Sequence, residues 1–87
     1  MELKLQSKVL KFLKAQPDTW VIKVEVANER GCPDILCCHK GMFCGIEIKE
    51  GRDRLSSIQG EQLQRILDAG GKTIVVRSMD DIKNFKG

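Results

Sequence analysis

The chain has 87 residues, a length that fits one small domain and excludes a multidomain enzyme. Hydrophobic residues make up 41% and charged residues 31%, which is too apolar for a disordered tail and too charged for a membrane span. The formal charge of +3 permits a nucleic-acid partner without requiring one. Because neither a long apolar run nor a signal-peptide pattern is present, we expect one cytoplasmic domain over residues 1–87.

Hydrophobic periodicity predicts a chain of seven elements in the order αβββαβα. The predicted helices cover 2–15, about 56–69, and a final turn after Ser78. The predicted strands cover 19–27, 34–38, 42–50 and 72–77. Strands interspersed with helices in this way favour an α/β fold with a mixed sheet and helices packed on its faces.

The predicted hairpin at Lys40-Gly41 places three charged side chains on one face of the sheet. A two-residue turn there pairs Ile35 with Ile46 and therefore sets Asp34 opposite Glu47. Lys49 lies two residues beyond Glu47 and emerges on the same face. Two opposed carboxylates repel each other, so a cation or a shared proton is needed to offset the cost.

A divalent cation suits this set of residues best. Mg²⁺ prefers hard oxygen ligands, which Asp34 and Glu47 supply, and the backbone carbonyl of Ile48 could add a third. The ammonium of Lys49 can orient a water or stabilise charge on a phosphate. The arrangement indicates phosphodiester hydrolysis.

Three motifs in the chain resemble the signature of a known nuclease family. They are Gly31-Cys32-Pro33-Asp34, Gly45-Ile46-Glu47-Ile48-Lys49 and Leu55-Ser56-Ser57-Ile58-Gln59. Together they are similar to the G-x-PD … E-x-K … (L)S-x-x-Q pattern of the VRR-NUC branch of the PD-(D/E)XK nucleases. The resemblance implies a restriction-endonuclease-like αβββαβ core, dependence on Mg²⁺ or Mn²⁺, and cleavage of DNA. Stand-alone phage or bacterial members of this size resemble Holliday-junction resolvases, which work as homodimers.

The resemblance also implies a role for each matching residue. Asp34 and Glu47 would ligate the metal, and Lys49 would position or activate the attacking water. Glu2 would be the acidic residue of the first helix that reaches the same metal, although a helix N-terminus also favours an acidic residue for its charge alone. Gln59 would lie beside the metal or Lys49, but Ser56-x-x-Gln59 is also a capping box, which would explain Gln59 without chemistry.

Other residues are assigned by their position relative to these motifs. Arg30, Arg52 and Arg54 flank them on loops and are candidates for contacts with DNA phosphates, against ordinary surface charge as the alternative. Trp20 lies on an apolar strand face and is interpreted as a core or dimer-interface residue. His39, beside the predicted turn, is interpreted as a solvated loop residue.

The sequence therefore predicts a metal-dependent DNA endonuclease that acts as a homodimer and favours branched DNA. One alternative is a nucleic-acid-binding module with the same fold and no catalysis. A second is a zinc-binding interaction domain that uses Cys37, Cys38, His39 and Cys44. Because the chain has no CxxC pair, we instead expect its four cysteines to be reduced, small apolar residues. They are Cys32, Cys37, Cys38 and Cys44.

Overall fold

A computed structural model of the chain describes residues 4–84 and confirms the predicted element order. The helices are α1 (Leu5–Lys14), α2 (Ser57–Asp68) and α3 (Met79–Lys83). The strands are β1 (Thr19–Lys23), β2 (Ile35–His39), β3 (Met42–Ile48) and β4 (Lys72–Val76). Strands β1 and β3 end earlier than predicted. No helix within residues 4–84 is long and apolar enough to cross a bilayer.

The four strands form one mixed sheet in the order β1-β2-β3-β4. Strands β1, β2 and β3 are antiparallel neighbours, whereas β4 runs parallel to β3. A parallel pair needs a crossover connection, which α2 provides. The β2–β3 register pairs Ile35 with Ile46 and Cys37 with Cys44, as the turn at Lys40-Gly41 predicts.

The core lies between one face of the sheet and helices α1 and α3. Val9 and Leu13 of α1 and Ile82 of α3 are fully buried there. The sheet contributes Val21, Ile35, Cys37, Cys44, Ile46 and Val76. The inward face of β1 is therefore the one that bears Val21.

Trp20 is not a core residue, so that part of its interpretation is wrong. Its side chain is 56% exposed on the opposite face of the sheet, and Ile22 beside it is also exposed. On that face α2 packs mainly on β3 and β4, which leaves the β1–β2 half uncovered. Strand β1 has apolar residues on both faces, and alternation alone could not tell which one a helix covers.

Helix α2 lies very close to β3 because Gly45 has no side chain. A Cβ at Gly45 would come within 2.6 Å of Cδ1 of Ile66 and 3.1 Å of Cγ of Pro33. Leu63 is the buried residue of this helix, while Ile58 and Leu67, which its hydrophobic periodicity also places on the apolar face, are exposed. The contact surface of α2 is therefore narrower than its sequence suggests.

His39 is a buried strand residue, and its interpretation as a solvated loop residue is wrong. Its Nδ1 lies 2.7 Å from the Oγ1 of Thr19, the residue opposite it on β1. The turn begins one residue later, at Lys40, which has a φ of +51°. His39 is consequently the last residue of β2 and points toward the core side of the sheet.

The cysteines fit the prediction of small, reduced apolar residues. All four are free thiols, and Cys37 and Cys44 are buried side by side in the core. Burial and the neighbouring Cys37 raise the pKa of Cys44 to about 12. A thiol in this environment has little tendency to ionise and so little tendency to bind a metal.

Gly31 provides a test of how the loop before β2 docks on α2. It has a φ of +77°, and a Cβ there would lie 2.7 Å from the carbonyl oxygen of Ile58. Gly41 has a similar φ of +84° with nothing within 4 Å of its Cβ position. We expect Gly41→Ala to lower the free energy of unfolding by about 1–2 kcal/mol through backbone strain, and Gly31→Ala by about 3 kcal/mol or more through strain plus collision. Urea denaturation of both variants measures this, and equal losses would contradict the close docking.

Candidate active site

Asp34 is held at the start of β2 by two hydrogen bonds. Its Oδ2 accepts from the backbone N–H of Ile48 on β3 at 2.7 Å. Its backbone carbonyl accepts from the N–H of Val24 at 2.9 Å. Pro33 before it is buried under α2. The loop from Gly31 to Asp34 is thus fixed between β1, β3 and α2, which orients the Asp34 carboxylate toward β3.

Glu47 is a buried carboxylate in the middle of the protein. Only 2% of its surface is exposed. Its Oε1 accepts a hydrogen bond from Nε2 of Gln59 at 3.2 Å. Its Oε2 is buried and has no hydrogen-bond partner among residues 4–84. A buried charged oxygen without a donor is costly, so this atom has an unmet need for a proton or a cation.

The ionisation of Glu47 reports which groups surround it. Burial, followed by the neighbouring Asp34 carboxylate, raises the pKa of Glu47 to about 7, while the Lys49 ammonium acts in the opposite direction. Two carboxyls this close to each other favour protonation of one of them. The structure thus brings together the three residues that the hairpin register predicts.

Gln59 unites the two interpretations that its sequence position allows. Its Oε1 accepts from the backbone N–H of Ser56, and its own N–H donates to Oγ of Ser56, which completes a capping box at the start of α2. Its Nε2 then donates to Glu47. Because the cap occupies the amide oxygen, the amide nitrogen is directed at the carboxylate. The helix cap therefore also positions a side chain of the site.

The donor set fits a hard divalent cation in its chemistry. Oε2 of Glu47 lacks a partner, Asp34 lies beside it, and Ile48 lines the same cavity as Asp34 and Lys49. Carboxylate and carbonyl oxygens with added waters are the usual surroundings of Mg²⁺. Within the described residues, no group of three or more His, Cys, Asp and Glu is placed to hold a metal, so two carboxylates would need carbonyl or water ligands beside them. Glu2 lies outside residues 4–84.

Several groups at the site were not singled out from the sequence. The pKa of Cys32 is raised by partial burial and by the charges of Glu47, Asp34 and Glu29, which places this thiol near both carboxylates. In the sequence, only the position of Cys32 between Gly31 and Pro33-Asp34 of the first motif indicates that it lies near the site. A cavity of about 270 Å³ opens at Asp34 and Lys49, and Lys4 and Gln6 of the α1 region also line it. Only the packing of α1 reveals those two.

The three arginines expected at DNA phosphates are all exposed. Arg52 and Arg54 lie on the loop between β3 and α2, which leaves the site directly after Lys49. Arg30 lies on the loop before the Pro-Asp motif, where its backbone carbonyl accepts a hydrogen bond from Gln62 of α2 at 3.0 Å. All three guanidinium groups are therefore open to contact with a polyanion.

The residues of the zinc-binding alternative do not converge. Cys37 and Cys44 face the core, whereas Cys38, the residue after Cys37, points to the opposite face of the sheet. His39 is buried against Thr19. In the part of the chain that the structure describes, these side chains form no group able to hold a metal.

Two solved structures share this fold. The first, described as a VRR_NUC domain, superposes with a TM-score of 0.77 at 21% sequence identity, over 91% of this chain and 86% of that chain. The second is Hjc, a Holliday junction resolvase from the archaeal hyperthermophile Archaeoglobus fulgidus, with a TM-score of 0.58 at 24% identity. That match covers 84% of this chain and 64% of the resolvase, so the chain spans less than two thirds of its length.

At these identities the similarities establish the fold. No family profile matches the sequence, and no curated protein does. The expected α/β, restriction-endonuclease-like architecture is confirmed, and so is the resemblance to VRR-NUC domains and resolvases at the level of the fold.

The buried carboxylate predicts an unusual dependence of stability on pH. A group with a raised pKa in the folded state stabilises the fold below its ordinary pKa of 4.5, and this contribution is lost as pH rises through about 7. In EDTA we expect the free energy of unfolding of Glu47→Gln to rise relative to that of the wild type between pH 5 and pH 8, by on the order of 2 kcal/mol. Thermal and urea unfolding across that range measure the difference.

A matched control for this prediction is Glu61→Gln, which removes an exposed carboxylate from α2. It should follow the pH dependence of the wild type. If Glu47→Gln follows it as well, Glu47 is not a desolvated carboxyl.

Proposed function

We propose that this protein is a metal-dependent DNA endonuclease that hydrolyses phosphodiester bonds, acts as a homodimer and favours branched DNA. The observation that carries the proposal is Glu47, a buried carboxylate with one unpartnered oxygen, set near Asp34 and Lys49, which themselves line an open cavity. A structural strand would gain nothing from two such carboxylates, since their repulsion lowers stability. A site that binds a cation and a phosphate makes use of both charges.

The structural neighbours support the same class of activity. One is described as a VRR_NUC domain and the other as a Holliday junction resolvase. The match to the VRR_NUC domain covers 91% of this chain and 86% of that chain. The three motifs that resemble the VRR-NUC signature lie between residues 31 and 59 of this chain. Fold and motifs thus favour a nuclease independently.

Asp34 and Glu47 would hold a Mg²⁺ or Mn²⁺ ion, with the carbonyl of Ile48 as a further ligand. When bound, such an ion lowers the pKa of a water and neutralises charge on a phosphate. The N–H of Ile48 fixes one oxygen of Asp34, and the Nε2 of Gln59 fixes one oxygen of Glu47. Each carboxylate therefore has one oxygen anchored by the protein. Ligands anchored in this way lose little freedom when they bind a cation.

Lys49 is the group suited to the substrate. It is half-buried at the end of β3, and its backbone N–H is held by the carbonyl of Val76 on β4 at 3.0 Å. Its side chain lines the cavity together with Asp34. An ammonium in this position can orient the attacking water or stabilise the charge that develops on the phosphate. Arg52 and Arg54, which are exposed on the adjoining loop, would bind neighbouring phosphates of the DNA.

The homodimer is supported by an apolar surface that the fold leaves uncovered. Trp20, Ile22, Leu36, Cys38 and Phe43 form this outward apolar patch on three adjacent strands. Trp20, Ile22 and Phe43 are exposed, and β1 is an edge strand of the sheet. A contiguous patch that includes two aromatic residues is typical of a protein interface. A second copy would bring a second active site, as two cuts in branched DNA require.

Nuclease activity can be tested on labelled linear, flap and four-way-junction DNA in Mg²⁺ or Mn²⁺. We expect the wild type to cut the branched substrates fastest. Asp34→Asn should lower the rate by at least about 10³-fold, and Lys49→Ala by about 10²–10³-fold, because each removes stabilisation made at the reacting phosphate. Lys40→Ala, at the hairpin turn away from the carboxylates, removes the same charge as Lys49→Ala and should leave the rate unchanged.

Metal binding gives a second readout that does not depend on cleavage. Mg²⁺ should raise the melting temperature of the wild type but not that of Asp34→Asn, and the shift should be smaller below pH 7 because Glu47 must lose its proton. DNA binding by a wild type that neither cuts nor binds Mg²⁺ would favour the non-catalytic module instead.

The dimer is tested by sedimentation velocity over a range of protein concentrations. We expect the wild type to sediment as a dimer and Trp20→Glu as a monomer, because a charge in the outward apolar patch cannot be desolvated cheaply. Leu67→Glu places the same charge at an exposed apolar residue of α2, outside the patch, and should remain dimeric. A monomeric wild type at high concentration would remove the dimer from the proposal.

A further inference from the structure

A second cavity adjoins the candidate active site and is lined by basic side chains. The cavity at Asp34 and Lys49 has Lys4 and Glu50 on its wall, and both residues also line the second cavity. The second cavity measures about 430 Å³ and is bounded by Lys8 of α1 and by Arg77 and Ser78 at the junction of β4 and α3. The two cavities therefore lie side by side and share part of their wall.

The charges in this second cavity favour an anion. Lys4, Lys8 and Arg77 contribute three positive charges against one negative charge from Glu50. Lys4 is the cap residue before α1 and Lys8 lies one turn later, where its backbone N–H donates to the Lys4 carbonyl at 3.1 Å, so the two residues are about 6 Å apart along the helix axis. We call the three cations the basic groove. None of them belongs to the sequence motifs, and they come from parts of the chain that are more than 60 residues apart.

Arg77 is oriented for such a role. One guanidinium N–H donates at 3.2 Å to the carbonyl of Gly51, which lies on the loop that follows Lys49. A guanidinium has five N–H donors, so this bond restrains the side chain and leaves donors for an anion. The backbone N–H groups of Arg77 and Ser78 are already used, because both donate to Oδ2 of Asp81. Anion binding here would consequently depend on side chains.

We infer that Lys4, Lys8 and Arg77 bind phosphates of the cleaved DNA strand that neighbour the phosphate being cut. This inference rests on the proposed function and gives the DNA a path. The strand leaves Asp34 and Lys49, passes the start of α1 and runs to the junction of β4 and α3. Arg52 and Arg54 on the β3–α2 loop contact a different stretch of the backbone. Glu50, at the boundary of the two cavities, weakens binding to the basic groove by repulsion.

The test is the salt dependence of DNA binding, measured in EDTA so that no cleavage occurs. A fluorescein-labelled four-way DNA junction is titrated with protein at several salt concentrations, and binding is followed by fluorescence anisotropy. Each phosphate contact contributes about 0.9 to the slope of log K against log salt on duplex DNA. We expect Lys8→Gln with Arg77→Gln to reduce the slope by about 1.8, and Lys8→Gln or Lys4→Gln alone by about 0.9.

The control is Lys14→Gln with Lys83→Gln, which removes two exposed charges from the C-terminal ends of α1 and α3. Its slope should equal that of the wild type, while Glu50→Gln should bind more tightly than the wild type. Equal slopes for the groove variants and the control would overturn the inference. The single variants Lys4→Gln and Lys8→Gln retain the bond between Arg77 and Gly51, so they decide the matter if the double variant is poorly folded.

The outcome is separable from that of the proposed function. If the groove variants lose slope but the wild type does not cut DNA in Mg²⁺, the phosphate subsite stands and the nuclease fails. If the wild type cuts but the slopes are unchanged, the nuclease stands and the subsite fails.

Discussion

The burial of one carboxylate beside another is the constraint on which the arrangement of the site depends. Glu47 lies within the sheet, between the Asp34 loop and the first turn of α2, and its pKa is raised to about 7 as a result. A carboxyl in such a place destabilises the fold when charged unless a cation accompanies it. The protein thus keeps a site that costs stability. The unpartnered Oε2 is the atom at which that cost is located.

The neighbouring elements position this pair by main-chain contacts that leave little freedom. The absence of side chains at Gly31 and Gly45 brings α2 against the Asp34 loop and against β3. That approach places Gln59 where one amide group can complete the helix cap and also donate to Glu47. Gln59 thus both caps α2 and positions Glu47, because α2 begins beside the carboxylates.

The two faces of the sheet differ in what covers them. One face forms the core that stabilises the fold, and the other carries the surfaces available for interaction. One face is closed by α1 and α3 and holds the core. The other is covered by α2 mainly on β3 and β4, which leaves Asp34 accessible at one end and Trp20 and Phe43 exposed at the other. The α1 side contributes to the surroundings of the site as well, because Lys4 lines the cavity that contains Asp34. The exposed apolar and basic surfaces are thus arranged around the same sheet.

The sequence by itself determined the element order, the β2–β3 register and the proximity of Asp34 to Glu47, because turn length and alternation fix which residues oppose one another in a hairpin. It could not decide which face of β1 is buried, that His39 is buried, or that Gln59 bonds both Ser56 and Glu47. Those outcomes depend on where helices distant in the sequence pack on the sheet. The same is true of the basic groove. Lys4, Lys8 and Arg77 line one cavity because α1 packs against α3, which directly follows Arg77, and no local pattern encodes that packing.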